Sequence, residues 1–178
     1  MPFEFAFLDW LYQFRNPVMN TISIFFDYAG AHGELWIAFT LLLLLFRRTR
    51  RAGFAMAVAL VLYMAAGHFF LKPLFARPRP CDVDTAITIL VKRPHGHSFP
   101  SGHTASAFAA AFALWLQNRK LGVPALVLAA FIAFTRLYLY VHFPTDVLGG
   151  LVLGLALGAL ASWLVDSLAN KPKKKQSV

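Results

Sequence analysis

Between Asp146 and Asp166 the sequence carries no charged side chain, and Gly53–Leu71 contains no Asp, Glu, Lys or Arg. A bilayer's hydrocarbon core asks for a helix of about 20 such residues. Three further stretches share the pattern: Leu35–Phe46, reaching back toward Ala31; Ser101 to Asn118; and Gly122–Tyr140, which carries Arg136 near its end. Hydrophobic residues make up 58% of the chain and charged residues 14%, with a mean hydropathy of +0.59. A chain of 178 residues cannot bury that much apolar surface within itself, and disorder needs the opposite balance. The expected fold is therefore all-α, a polytopic membrane helical bundle forming one domain over residues 1–178, with five clear transmembrane helices.

The N-terminal residues 1–30 are expected to add a short or interfacial first helix. Phe3–Phe14 is aromatic on most sides, with Glu4, Asp9 and Gln13 on a narrow polar stripe, which suits the membrane interface. Asn16 and Pro17 break the pattern. Val18–Ala29 is apolar but short, with Asp27 at its far end, and fits either a short spanning helix or a half-inserted one. The N-terminus has neither the basic region nor the cleavage site of a secretory signal.

The net charge is +9 and the pI about 10.1, yet the charges are not placed as in a nucleic-acid binder. Arg47, Arg48, Arg50 and Arg51 form one cluster, Arg119 and Lys120 another, and Lys171, Lys173, Lys174 and Lys175 a third. Each follows or precedes an apolar run, where membrane proteins carry cytoplasmic charge. All three fall on one side if the Arg47–Arg51 loop is cytoplasmic. The 72–100 segment is then an external loop, the 141–145 turn is external, and the basic tail, residues 169–178, is cytoplasmic and suited to anionic lipids. Cys81 is the only cysteine, so no intrachain disulfide or Cys-rich metal site is expected. Gly150, Gly154 and Gly158 recur at every fourth position of the last helix, a spacing for close helix packing that is expected to serve the bundle's interior rather than a dimer.

The same external end collects polar groups that are costly at membrane depth. Lys72 ends the second apolar run and Arg79-Pro80 follows; Pro100-Ser101-Gly102-His103 opens the third; Arg136 closes the fourth, followed by His142 and Asp146. Lys72, Arg79 and Arg136 supply fixed positive charge, and arginine's fork matches phosphate oxygens. Ser101 and Gly102, at a helix start, offer free backbone N–H groups to an anion. His142 and Asp146 stand one helical turn apart with Pro144 between them. A carboxylate there fixes the imidazole tautomer and frees its other nitrogen to attack phosphorus. His103, from another helix, is placed to protonate a leaving oxygen. The residues read as a phosphoryl-transfer site in which no metal or cofactor is expected.

Lys72 with Arg79-Pro80, then Pro100-Ser101-Gly102-His103, then Arg136 with His142 and Asp146 resemble the three signature motifs of the type 2 phosphatidic acid phosphatase (PAP2) family. The resemblance implies a six-helix membrane core and a hydrolase that works through a phosphohistidine. His142 would be its nucleophile, Asp146 the orienting partner and His103 the general acid. Lys72, Arg79, Ser101, Gly102 and Arg136 would bind phosphate. Thr135 departs from the family's usual serine but keeps a hydroxyl for a phosphate hydrogen bond, and the weak first helix is a second departure. Among substrates, the Leu90–Pro100 stretch is similar to the branch that includes undecaprenyl diphosphate phosphatases. The expectation is hydrolysis of that lipid to undecaprenyl phosphate on the outer face of a bacterial cytoplasmic membrane. Phosphatidylglycerophosphate, phosphatidate and lipid A phosphates are the alternatives, and membrane lipids the surroundings, with no obligate protein partner.

Other readings remain beside this one. Vanadium-dependent haloperoxidases hold vanadate with a similar constellation but resemble large soluble proteins, and a non-enzymatic membrane protein would not need the full set. His68, inside the second helix, reads as a packing residue, and His32 and Glu34 as interfacial. His95 and His97 form an H-x-H pair without further ligands at metal spacing, so a headgroup-contacting loop is the better fit. Arg77, Lys92 and Arg93 read as headgroup contacts or solvated charges.

Overall fold

The computed structural model describes residues 2–30 and 33–170, so His32 and the lysines of the basic tail lie outside the described residues. Among those residues all regular structure is helical: α1 (Pro2–Tyr12), α2 (Pro17–Ala29), α3 (Glu34–Leu45), α4 (Arg50–Tyr63), a π-helical continuation (Met64–Leu71), α5 (Lys72–Phe75), α6 (Pro80–Val83), α7 (Gly102–Gln117), α8 (Arg119–Tyr138) and α9 (Pro144–Ala169). The chain is an all-helical membrane bundle. By length and apolarity three segments qualify as spans by themselves, Arg50–Val83, Arg119–Tyr138 and Pro144–Ala169, while α2 and α3 qualify only as a pair. The expected five spans are therefore not all evident from length. α7 has 16 residues, about 24 Å at 1.5 Å per residue, and falls short by that measure although it lies at the centre of the bundle.

α7 is the hub, packed against α4, α8 and α9. Its composition makes this possible. Ala105, Ala107, Ala109, Ala110, Ala111 and Ala113 are all fully buried, so neighbouring backbones approach on several sides. On the α9 side the approach is closer still. A Cβ at Gly150 would stand 2.8 Å from the Ser101 carbonyl oxygen, and at Gly154 and Gly158 2.7 Å from those of Ala105 and Ala109. The glycine stripe is thus spent on an internal α7–α9 contact, where close backbone approach maximises dispersion without fixing long side chains.

The two ends of the bundle differ. At one end Arg51 pairs with Asp166 at 2.7 Å, and Gln117 donates to both Asp166 and Ser162 at 2.7 Å, tying the ends of α7 and α9 to the start of α4. The opposite end is covered by the N-terminal layer. Leu8 of α1 packs with Tyr140 and Phe143, and the Tyr140 hydroxyl donates to Asp9 at 2.6 Å. Asn16 caps α2 by accepting from the Met19 N–H, while its own N–H donates to Tyr138 Oη at 3.0 Å. At its other end α2 places Asp27 on Arg136. Both ends of α2 thus meet the last turn of α8, so this helix lies over one end of the bundle.

The π-helical stretch was not foreseen. It lets the Tyr63 ring lie against Gly67, where a Cβ would come within 2.6 Å of it, and such widened turns are frequent at functional sites. It also corrects the reading of His68. That residue is exposed and lines a cavity together with Lys72, His103 and His142 instead of packing between helices.

Candidate active site

Each motif residue reaches the covered end of the bundle by a separate local device. Lys72 leaves the π-helical turn, and its Nζ donates to the His97 carbonyl at 3.0 Å. Arg79 precedes the short α6, with Pro80 at its first position. The Arg79 guanidinium donates to the carbonyls of Gly96 (3.1 Å), Val141 (3.1 Å) and His97 (3.4 Å). The loop that was expected to meet a headgroup therefore uses backbone oxygens to hold two cations in place. Ser101 is the N-cap of α7, with its backbone N–H on the Asp146 carbonyl at 3.0 Å and its hydroxyl accepting from Thr104 at 3.0 Å. Next to it, a Cβ at Gly102 would stand 2.6 Å from Tyr63 Oη, so any larger residue would require the Tyr63 ring to move.

Arg136 is 1% exposed, and each of its three nitrogens donates a hydrogen bond. Nε and Nη2 donate to Thr135 Oγ1 at 3.2 and 2.9 Å, and Nη1 donates to Asp27 Oδ1 at 2.6 Å. Thr135 Oγ1 in turn donates its proton to the Ile132 carbonyl at 2.7 Å. The hydroxyl expected to serve phosphate is committed to fixing the arginine, since one O–H has only one proton to give.

Lys72, Arg79, Gly102, His103, Arg136 and His142 line a single cavity of about 560 Å³. Ser101 and Asp146 lie behind its wall, fully buried. All eight motif residues are thus gathered at one place from α5, the loop before α6, the ends of α7, α8 and α9, and the turn between α8 and α9 that carries His142. His103 enters from the first turn of α7, with Nε2 3.4 Å from the Asp27 carbonyl. His142 Nε2 lies 3.1 Å from Arg79 Nη1. A guanidinium can only donate, so Nε2 is the unprotonated nitrogen and Nδ1 carries the hydrogen. Nδ1 faces Asp146 Oδ2 at 3.5 Å, longer than an ordinary hydrogen bond. Asp146 Oδ2 also accepts the Phe143 N–H at 2.8 Å. Burial, and then the charges of Arg79, Lys72 and Arg136, hold the His142 imidazole well below the usual histidine range, so the ring is neutral at neutral pH.

Sequence reasoning missed several participants. Asp27, Tyr63 and His68 line the same cavity. Arg77, read as a headgroup contact or a solvated charge, is bound to Asp146 at 2.6 Å. His95 lines the cavity, whereas His97 acts through its carbonyl. Among the described residues no group of three or more His, Cys, Asp or Glu side chains is placed to hold a metal ion.

Comparison with known proteins follows the same lines. A family model described as the PAP2 superfamily matches residues 50–169. The chain is 32% identical over 158 residues to the undecaprenyl-diphosphatase BcrC of Bacillus subtilis, covering 82% of this chain and 75% of that protein. It is 38% identical over 158 residues to a decaprenylphosphoryl-5-phosphoribose phosphatase of Mycobacterium tuberculosis, covering 87% of this chain and 83% of the other. Its fold is similar to the crystal structure of the first transmembrane PAP2-type phosphatidylglycerolphosphate phosphatase from Bacillus subtilis. That match has a TM-score of 0.68 at 25% identity, over 96% of this chain and 86% of that one. With two thirds of its length inside the family model and all three motifs lining or backing one cavity, the chain belongs to the PAP2 superfamily and is a membrane phosphatase of that family.

Proposed function

We propose that the protein hydrolyses a polyprenyl-linked phosphate, with undecaprenyl diphosphate as its substrate, through a phosphohistidine on His142. The observation that carries this reading is the meeting of three cations, a helix N-terminus and two imidazoles on one cavity. Lys72, Arg79 and Arg136 hold the equatorial oxygens of the transferring group, and the α7 N–H groups behind Ser101 and Gly102 add an anion cradle. His142 Nε2 attacks phosphorus with its lone pair. The bond from phosphorus to the bridging oxygen breaks, and His103 protonates that oxygen as undecaprenyl phosphate departs. His103, now neutral, takes a proton from water, whose oxygen attacks the phosphohistidine and releases inorganic phosphate. Asp146 steadies the imidazolium formed on His142. Arg79, which donates to Nε2 in the resting site, moves its hydrogen bond to a phosphate oxygen as substrate enters.

The proposed orientation puts the site end outside and the arginine-rich end in the cytoplasm. Arg47, Arg48, Arg50, Arg51, Arg119 and Lys120 support it by lying at the end away from the site. Asp146 and Asp166 mark the two ends of α9, about 30 Å apart at 1.5 Å per residue, close to a hydrocarbon thickness. In this reading α3, the continuous α4–α5 rod, α7, α8 and α9 cross the membrane, while α1 and α2 lie at the outer interface. Ile37, Leu60 and Met64, which line the cavity, give apolar surface for the lipid tail. The polyprenyl tails in the names of two similar proteins support that choice of lipid.

The test is phosphate release by detergent-purified protein, with chelator present. Undecaprenyl diphosphate is run beside a polyprenyl-phosphoryl sugar phosphate, phosphatidylglycerophosphate and phosphatidate. Preference for the diphosphate, lost in His142→Ala, is expected. Preference for a glycerophospholipid would overturn the substrate, and full activity of His142→Ala would overturn the mechanism.

A further inference from the structure

Two arginines flanking Pro78 grip the His142–Asp146 pair from opposite ends. Arg79 Nη1 is on His142 Nε2, as described above, and Arg77 Nη1 is on Asp146 Oδ1 at 2.6 Å. Arg79 faces the cavity, while Arg77 does not line it. Instead Arg77 looks outward to the N-terminal helix, and its Nη2 donates to Glu4 Oε2 at 2.8 Å. Thr145 closes a ring, accepting from Arg77 Nη1 at 2.6 Å and donating to Glu4 Oε1 at 2.6 Å. The guanidinium also lies 4.2 Å over the Phe143 ring, and Phe143 packs edge-on against Phe5 of α1. The group is shielded: side-chain exposure is 17% for Arg77, 10% for Glu4 and zero for Asp146. The backbone that carries Arg77 is fixed as well, because Ser98 donates its N–H to the Arg77 carbonyl at 2.8 Å and its hydroxyl to the Pro78 carbonyl at 3.0 Å.

The chemistry of Asp146 gives this ring a purpose. One carboxylate oxygen, Oδ2, must face His142 Nδ1, so the rotation of the carboxylate decides whether the nucleophile is steadied. The Phe143 N–H holds Oδ2, and Arg77 is the charged donor that holds Oδ1. Together they define the carboxylate plane, and a charge-assisted bond in a shielded place is a strong constraint.

We propose that Arg77 and Glu4 are positioning residues for the His142–Asp146 pair, so that the first helix of the chain takes part in orienting the nucleophile. This rests on the His142 reading given above. A residue that sets geometry lowers the rate of the chemical step and leaves substrate binding largely alone.

The experiment is steady-state phosphate release by the full-length protein, with undecaprenyl diphosphate as the probe, for Arg77→Ala, Arg77→Lys and Glu4→Gln beside His142→Ala and Asp9→Asn. Arg77→Ala is expected to lower kcat on the order of 10- to 100-fold, the scale of a misplaced reacting group, with KM within about twofold. Arg77→Lys should recover part of the loss, because lysine reaches one carboxylate but lacks the fork. Asp9→Asn weakens the bond from α1 to Tyr140 by removing its charge, without touching the ring, and should keep kcat within about twofold. If Arg77→Ala fails to purify, Glu4→Gln carries the test, with a fall in kcat of several-fold expected at unchanged KM. A rise in KM at unchanged kcat would make Arg77 a headgroup contact and overturn the proposal. So would an Asp9→Asn loss equal to that of Arg77→Ala, which would reduce the effect to helix docking. Wild-type behaviour of Arg77→Ala and Glu4→Gln with an inactive His142→Ala sinks the positioning role alone. An active His142→Ala sinks the reading beneath it.

Discussion

The helical core and the N-terminal layer contribute to the site in opposite ways. The ends of α7, α8 and α9 and the turn between α8 and α9 carry His103, Arg136, Asp146 and His142 on a scaffold of buried alanines and glycines, where backbones approach closely. α1 and α2 carry no motif and keep many large apolar side chains exposed, among them Phe3, Trp10, Val18 and Phe25. Yet Asp27 completes Arg136, and Glu4 reaches Asp146 through Arg77. In the proposed mechanism the core holds the groups that meet phosphate, and the layer supplies hydrogen-bond partners to those groups. On this account the reacting groups sit in short motifs, while their hydrogen-bond partners Asp27 and Glu4 come from the N-terminal helices.

The comparison predicts a hierarchy of damage. The largest loss of activity belongs to the core: His142→Ala should lower kcat roughly a thousandfold or more without unfolding the protein. Phosphate release and a thermal melt in detergent would check both halves. The largest loss of stability also belongs there. A side chain at Gly154 would meet the Ala105 carbonyl at 2.7 Å and Phe108 Cβ at 2.8 Å, so Gly154→Leu should cost about 3 kcal/mol. Val18→Ala, on a side chain 68% exposed, should stay within about 0.5 kcal/mol of wild type. Equal melts for the two would remove the distinction between core and layer.

An intermediate effect is expected at the junction. Asp27 is the counter-charge of a buried arginine, with side-chain exposures of 17% and 1%. Asp27→Asn should destabilise the ligand-free protein by about 1–3 kcal/mol, discounted for its partial exposure. Orthovanadate, which mimics the five-coordinate phosphoryl group, should restore part of that loss by taking the carboxylate's place beside Arg136. The variant should therefore show the greater vanadate-induced rise in Tm. Equal shifts would mean that the anion does not engage Arg136.

The smallest effect is a matter of sign. Burial and three cations hold the His142 pKa below its ordinary value, so folding keeps the ring neutral while the unfolded chain takes up a proton as pH falls through about 6.5. The stability linked to this residue is complete above that pH and is lost below it. Nitrogen-15 NMR of labelled histidine, assigned with His142→Ala, should find the ring still neutral at pH 6. A midpoint above 6.5 would contradict the electrostatics of the site.

Much of the core was legible in the sequence. The apolar runs placed α8, α9 and the combined α4 and π-helical segment within a few residues, and the start of α7 followed from Ser101 before an alanine-rich run. The residue types and spacing of Lys72, Arg79, Arg136, His142 and Asp146 pointed to one shared site, and the fold does bring them to one cavity and its wall. The layer was not legible, for a physical reason. Arg136 and Asp27 are separated by 109 positions, and Arg77 and Glu4 by 73, so no local periodicity or motif joins them. Nothing in Met64–Leu71 marks a π-helical turn either, since the run is apolar throughout apart from His68. That turn decides that His68 faces the cavity. Thr135 shows the limit at a single atom: its hydroxyl was visible in the sequence, but the Ile132 carbonyl that takes its proton was not.

The central claim, phosphoryl transfer through His142, is tested most directly by trapping the intermediate. Undecaprenyl diphosphate labelled in its terminal phosphate would be mixed rapidly with the enzyme and quenched during turnover in alkali or in acid. Label that stays on the wild-type protein in alkali, disappears in acid and is missing from His142→Ala is the predicted result, as phosphohistidine is acid-labile. Label that survives acid and maps to Ser101, or that persists in His142→Ala, would contradict the account.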